Sequence, residues 1–552
     1  MLPTHPDPLR TVNDALQSLL SRRWGLWLIV AAFCARGAWQ IHTGNAWTDE
    51  GMGLWSGATA LFRAPVATFF CLRARPVAAA LYALPAMAGQ NAFLMAHLAA
   101  SALTLPLLSG LARELKVRPV HLPALISATC SAALISAQGG NSICEGQLGV
   151  ALFAWLWLVR RKWLPAALVL GILPLVRIEL GLLTAMVTVY MLVTERHWRF
   201  AAAVCTFSLV YVVSGAVYHF DPIWWLHFPP HPPQGAWGPN GADMQMDRAS
   251  TNPASVIREM VAFSPLAPMA FWGTAREGPG PYRVLARYAV ILFVLLNIFP
   301  FIGLFNGRGA RYFVVILPML AIGTARWLHD AESRPSVAAF RDPARLGLAA
   351  TAVLAAVLPW TDPRGLPVPT LIWLTVSLVG LALAVTVNAR KVMTLLVCQL
   401  ALPSAWVLAP LDANAAEHQR TGEAATWLVD HGHPADGVDV YTNMHLLSLK
   451  VGRLGGAAAQ AKVHLLYQED VKVVLSRLTN PNNGQRQAVL AAWPASESGI
   501  FSNDLDIAKV PKGSMFVFRK DPRLWRTLNH DAWAPHLRVV ARMGQIDIME
   551  FQ

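Results

Sequence analysis

Long apolar stretches, each closed by a short polar segment, set the pattern of this chain. The first, at 24–41, is long enough to cross a hydrocarbon layer as a helix, which takes about 20 residues. Comparable runs follow at 91–111, 119–137, 145–159, 198–217, 284–305, 312–327, 346–360, 371–387 and 393–411. The stretch 163–194 is too long for one helix and is broken by Pro174 and by Arg177-Ile178-Glu179, so it reads as a helical pair around a polar turn. The segment 259–275 carries Pro265 and Pro268 and is a poor span by itself, but the alternation of loop charge requires it. The pattern predicts about thirteen spans. A shorter run, 77–88, interrupted by Pro85, reads as an interfacial or re-entrant segment.

Basic clusters fix the orientation. Arg22-Arg23, Arg113 with Lys116 and Arg118, Arg160-Arg161-Lys162, Arg196 with Arg199, the arginines of 276–283 and 326–345, and Arg390-Lys391 all fall on one side, which the positive-inside rule makes cytoplasmic. The N-terminus starts there, as an uncleaved signal anchor. The opposite face receives a first loop at 42–90, a short loop Gly139-Gly140-Asn141-Ser142-Ile143-Cys144, and a long loop at 219–255 rich in Trp, Pro and His, a candidate substrate lid.

Beyond residue 411 the pattern changes to short apolar runs separated by charge and turn residues. Strands are expected at 438–441, 471–475, 515–518 and 545–551, and helices at 422–430 and 522–528, the latter with Asp521 as N-cap and Pro522 at its first position. The expected organisation is a polytopic α-helical membrane module, 1–411, followed by a small periplasmic α/β domain, 412–552.

Composition agrees: 55% hydrophobic and 14% charged residues exclude an ordinary soluble globule. The net charge is +13, yet 412–552 holds fifteen basic and fifteen acidic residues, so the excess belongs to loops flanking the spans. That argues against nucleic acid as a partner and for membrane lipids. Of six cysteines, Cys34, Cys130, Cys205 and Cys398 lie in apolar runs; Cys71 and Cys144 fall in outer loops, where strict Cα separation argues against a bridge.

The outer face collects the unusual polar groups: Asp49 and Glu50 in Trp-Thr-Asp-Glu-Gly, Arg75, Glu145, Arg177 and Glu179, His219 and Asp221, Arg308 and Arg311. A carboxylate can take the proton of an attacking hydroxyl, and arginines can hold the charge of a departing phosphate. Structural roles compete at each position. Thr48 or Asp49 suits a helix N-cap, Arg177 and Glu179 suit an intra-turn ion pair, Arg308 and Arg311 suit snorkelling, and Glu145, His219 and Asp221 suit interface positions.

The order of motifs resembles the GT-C superfamily of integral membrane glycosyltransferases: the acidic pair, Arg75-Pro76 leading to Tyr82, Arg177-Ile178-Glu179-Leu180-Gly181, then Arg311-Tyr312 with Pro318 in a span. The bacterial branch it resembles includes lipid A aminoarabinose transferases, protein O-mannosyltransferases and arabinofuranosyltransferases. The resemblance implies a polyprenyl-phosphate-linked sugar donor used on the periplasmic face of the inner membrane. It also implies a lipid, glycan or protein acceptor and a monomeric enzyme. Asp49 and Glu50 take the catalytic role, with Asp49 as base or its orienting partner; Arg75, Arg177 and Arg311 contact donor phosphate; Tyr82, Glu145, Glu179, His219, Asp221, Arg308 and Tyr312 are further candidates. The chain departs from the pattern where relatives read Arg-Pro-Glu-Gly or Arg-Pro-Asp-Gly, and where a double proline is replaced by Pro76-Val77.

No cofactor is assigned. Metal-ligand spacing is absent from the sequence, although some relatives use a divalent cation near the acidic pair, where His42 or His219 would help. No Gly-rich loop suited to a nucleotide-sugar donor precedes a strand. Two other classes fit parts of the pattern. An O-antigen ligase or polymerase shares the long outer loop but lacks the acidic pair. A membrane transporter would carry repeated halves, which this chain does not show.

Overall fold

A computed structural model describes residues 18–43, 49–63, 65–70, 75–227, 280–298, 313–332, 419–442, 444–467, 500–501, 505–519, 534–544 and 546–552. In chain order the helices are α1 (Arg23–Thr43), α2 (Asp49–Arg63), α3 (Pro65–Phe69), α4 (Pro76–Met87), α5 (Gln90–Ala102), α6 (Thr104–Glu114), α7 (Leu122–Thr129) and α8 (Ser131–Gln138). They continue with α9 (Ile143–Ala154), α10 (Trp163–Val176), α11 (Leu180–Val193), α12 (Trp198–His219), α13 (Trp224–His227), α14 (Gly280–Ile298), α15 (Phe313–Glu332), α16 (419–430) and α17 (His445–Ala461). Among the described residues three stretches, Arg23–His42, Gln90–Glu114 and Trp198–His219, are long and apolar enough to cross a membrane.

The chain divides into two compact units: Met1–Thr48, Gln90–Tyr211 and Met246–Pro410; and Asp49–Gly89, Val212–Gln245 and Leu411–Gln552. In the first unit α9 is central. It is buried nearly all round and packs on α10 and α15, itself buried from Val314 to Ala325. A helix apolar on every side belongs inside a bundle. The peripheral helix α1 instead turns Trp24, Trp27, Leu28 and Trp39 outward, and Leu209 of α12 is likewise exposed. Such apolar outer faces suit lipid.

Several expected spans are broken. The run 91–111 is two helices parted at Leu103, because Pro106 has no N–H for the Ala102 carbonyl four residues back. The run 119–137 breaks at Cys130, which is extended (φ −68, ψ 114), just after Thr129 turns its hydroxyl back onto the carbonyls of Leu125 and Ile126. The run 145–159 begins two residues earlier, at Ile143, and closes in a π-helical turn, Trp155–Val159. Cys144, expected in a loop, is instead buried in the first turn of α9, its thiol directed at the Ala133 carbonyl at 3.9 Å. The pair expected in 163–194 is present as α10 and α11, and the run at 312–327 extends to Glu332. Spans expected at 259–275, 346–360, 371–387 and 393–411 lie outside the described residues.

In the second unit α2 packs on α4. The segment expected to be interrupted at Pro85 is one continuous helix, α4. Pro85 sits in its last turn, where the missing bond would have gone to the carbonyl of exposed Leu81. The rest of this unit is built on a six-stranded sheet of β1 (Val440–Thr442), β2 (Val463–Tyr467), β3 (Ile500–Phe501), β4 (Met515–Arg519), β5 (Leu537–Met543) and β6 (Ile546–Phe551). Its order is β3-β2-β1-β4-β6-β5, with β1 parallel to β2 and β4, β2 parallel to β3, and β6 antiparallel to β4 and β5. Side chains alternate across β4: Met515 and Val517 join a core under α16 and α17, while Phe516 and Phe518 join Tyr441, Leu466 and Phe551 on the other face. Strands fall at three of the four expected places; the expected strand at 471–475 and helix at 522–528 lie outside the described residues.

Candidate functional site

In the first unit the sequence Gln138-Gly139-Gly140-Asn141-Ser142 turns the chain from α8 into α9, and every residue of that turn is buried. A buried turn must satisfy its own backbone and side-chain polar groups. Asn141 Oδ1 accepts from the backbone N–H of Ile143 at 3.1 Å, and Asn141 N–H donates to the Ser136 carbonyl at 3.0 Å. Arg177, at the C-terminus of α10, donates from Nη1 to Ser142 Oγ at 3.0 Å. Its Nε and Nη2 meet the two oxygens of Glu179 at 3.2 and 2.7 Å, a bidentate pair within the turn before α11. Arg177 is only 3% exposed, so its charge is compensated locally.

Glu145, in the first turn of α9, lies 2.9 Å from His97 Nε2, while His97 Nδ1 sits 3.0 Å from the Ala137 carbonyl. Gly146 follows Glu145 in the chain. A Cβ there would meet Leu180 Cδ1 at 3.1 Å, so the bare backbone lets α9 and α11 close around the cluster. Two residues beyond Glu145, Gln147 Nε2 donates to Ser127 Oγ at 3.0 Å. The expected residues Glu145, Arg177 and Glu179 thus belong to one buried polar cluster, together with His97, Ser142 and Asn141, which the sequence reading did not single out. A signal existed: His97 is the lone ionisable side chain within an apolar run, a position that points to function by default in a membrane span.

The remaining candidates in the second unit sit as follows. Asp49 and Glu50 are the first two residues of α2. Arg75 precedes α4 in a left-handed conformation (φ 53, ψ 70), with Pro76 at the first helical position. Few non-glycine residues adopt that conformation. Tyr82 is buried on the packed face of α4.

His219 closes α12, with its ring stacked on Trp224 at 4.8 Å between centroids and its Nε2 3.3 Å from the Phe70 carbonyl. Phe70 in turn stacks on Tyr218 at 5.1 Å. Asp221 accepts the Ile223 N–H at 3.0 Å, forming the turn that opens α13. Arg308, Arg311 and Tyr312 lie outside the described residues. Among the described residues no group of three or more His, Cys, Asp or Glu side chains is placed to hold a metal ion.

No protein-family model matches the sequence, and no curated protein sequence matches it either. Solved structures do. ArnT from Cupriavidus metallidurans in the apo state superposes with a TM-score of 0.53 at 14% identity, over 94% of this chain and 97% of that one. The same ArnT bound to undecaprenyl phosphate superposes with a TM-score of 0.54 at 14% identity, over 96% of this chain and 98% of that one. At this identity the likeness is one of fold, and it runs nearly end to end through both chains. The chain therefore has the ArnT fold, a helical architecture with stretches long and apolar enough to cross a membrane.

Proposed function

We propose that the chain is a membrane glycosyltransferase that moves a sugar from a polyprenyl-phosphate donor to an acceptor hydroxyl on the periplasmic face of a bacterial inner membrane. The observation that carries this reading is a fold shared over 96% of the chain with an ArnT bound to undecaprenyl phosphate. In the reaction, Asp49 accepts the proton of the acceptor hydroxyl as its oxygen bonds to the anomeric carbon. The bond from that carbon to the phosphate oxygen breaks, and polyprenyl phosphate departs with the electron pair. Glu50 orders the head of α2, and Arg75, Arg177 and Arg311 stabilise the phosphate. The acceptor is a lipid, glycan or protein of the envelope, and the sheet of the second unit lies in the periplasm.

The test is transfer from a panel of radiolabelled polyprenyl-phosphate sugars to envelope lipids by purified protein, with Asp49→Asn as control. Wild-type transfer lost in Asp49→Asn at unchanged expression and thermal stability supports the reading. Full activity in Asp49→Asn removes Asp49 from the mechanism, and no transfer from any donor in the panel overturns the reading itself.

A further inference from the structure

His97 is wholly buried and touches both sides of the buried turn at once. Its Nδ1 faces the carbonyl of Ala137, at the end of α8, and its Nε2 faces Glu145, in the first turn of α9. A carbonyl can only accept, so Nδ1 carries the hydrogen that meets Ala137, while Nε2 lies against the Glu145 carboxyl. Between the two anchor points lie the five residues of the turn, ending in Ser142, whose hydroxyl holds Arg177.

We propose that His97 is a positioning residue: by pinning Ala137 and Glu145 it fixes the buried turn, and through Ser142 it fixes the guanidinium of Arg177. The proposal rests on the reading of Arg177 as a donor-phosphate group only for its effect on function; the clamp itself is a matter of structure. Ile143 and Gly146 belong to the same rigid first turn of α9, so a shift at Glu145 is passed to Ser142 through a single turn of backbone. Arg177 and Glu179 lie on a separate segment, between α10 and α11, so an effect of His97 on their exchange reads what is transmitted from the turn to that segment.

The experiment is hydrogen exchange on the full-length protein in lipid nanodiscs, comparing wild type with His97→Phe and Ser142→Ala, paired with binding of undecaprenyl phosphate. Loss of a hydrogen bond to a charged group raises local opening by about tenfold or more. His97→Phe is expected to speed exchange in both 138–147 and 176–181, and to weaken undecaprenyl phosphate binding by about tenfold. Ser142→Ala is expected to speed 176–181 alone. The double variant should exchange in 176–181 no faster than His97→Phe, because both act through one path.

Unchanged exchange at 176–181 in His97→Phe, or additive effects in the double variant, overturns the proposal. If His97→Phe does not fold, Glu145→Gln takes its place, since it weakens the same anchor while keeping a hydrogen-bonding side chain. If wild type fails to bind undecaprenyl phosphate, the proposed function is at fault, while the exchange measurements still decide whether His97 holds Arg177.

Discussion

The indole of Trp224 occupies the space where a side chain on Gly215 would stand. Trp224 is fully buried there, its Nε1 donates to the Val212 carbonyl at 3.0 Å, and its ring stacks with His219 and meets Phe70 edge to face. The bare backbone at position 215 is therefore what lets the chain double back from the end of α12 and tie the segment that follows α2 to it through the Phe70 carbonyl.

Gly215→Val is expected to expel the indole and destabilise this part of the protein by about 1–3 kcal/mol, the usual cost of overpacking. Thermal unfolding in detergent checks it, with Trp224→Phe as a milder comparison that keeps the ring and loses the N–H donor. An unaltered melting temperature in Gly215→Val would mean that Trp224 has another resting place.

Breaking the buried pair from one side should be worse than removing both partners. Glu179→Ala removes the bidentate partner of buried Arg177 and is expected to cost about 3–5 kcal/mol, whereas Arg177→Met with Glu179→Leu should recover much of that loss. The measurement is thermal stability of the three proteins; the double variant is expected to be inactive although stable.

Arg311→Ala is expected to raise the donor KM or slow departure of the phosphate, leaving the response to acceptor concentration unchanged. Initial rates against donor concentration check this, and an unaltered donor response counts against a phosphate role.

Acid should loosen the helix 419–430. Burial, then the neighbouring His431, holds the His433 imidazole below its usual value of 6.5, against an opposing pull from Glu550 and Asp436. The unfolded segment therefore takes up a proton before the folded one does, so stability contributed by neutral His433 is present above that value. It is lost as pH falls from 6.5 toward the lower folded value. Hydrogen-exchange protection factors across 419–440 should drop between about pH 7.5 and pH 5.5, and His433→Gln should remove part of that drop.

Hydropathy revealed the membrane helices because burial in lipid demands apolar length, and α1, α10, α11 and α12 follow the runs closely. Breaks inside runs were harder to see. Pro106 could have betrayed the one at Leu103, but the break at Cys130 depends on Thr129 bonding back to its own helix, which composition does not reveal. In the second unit, β4 and β6 were legible from alternation, while α17 was hidden by Gly452, Gly455 and Gly456, the last of which kinks it at φ 82. Of the buried cluster, Arg177 and Glu179 stood out because charge interrupts an apolar run. The weight of His97 and Ser142 in the cluster comes from partners 40 and 35 residues away in sequence, Ala137 and Arg177, which the local pattern does not show.

Cysteine-labelling experiments gain a specific warning from the first turn of α9. Cys144 is sealed off by protein on every side, so a membrane-impermeant maleimide would leave it unmodified whichever aqueous compartment that end of the helix approaches. Silence from this thiol would report shielding alone, and sidedness has to be mapped with probes engineered at exposed points such as Lys116 or Arg196, which stand in open turns.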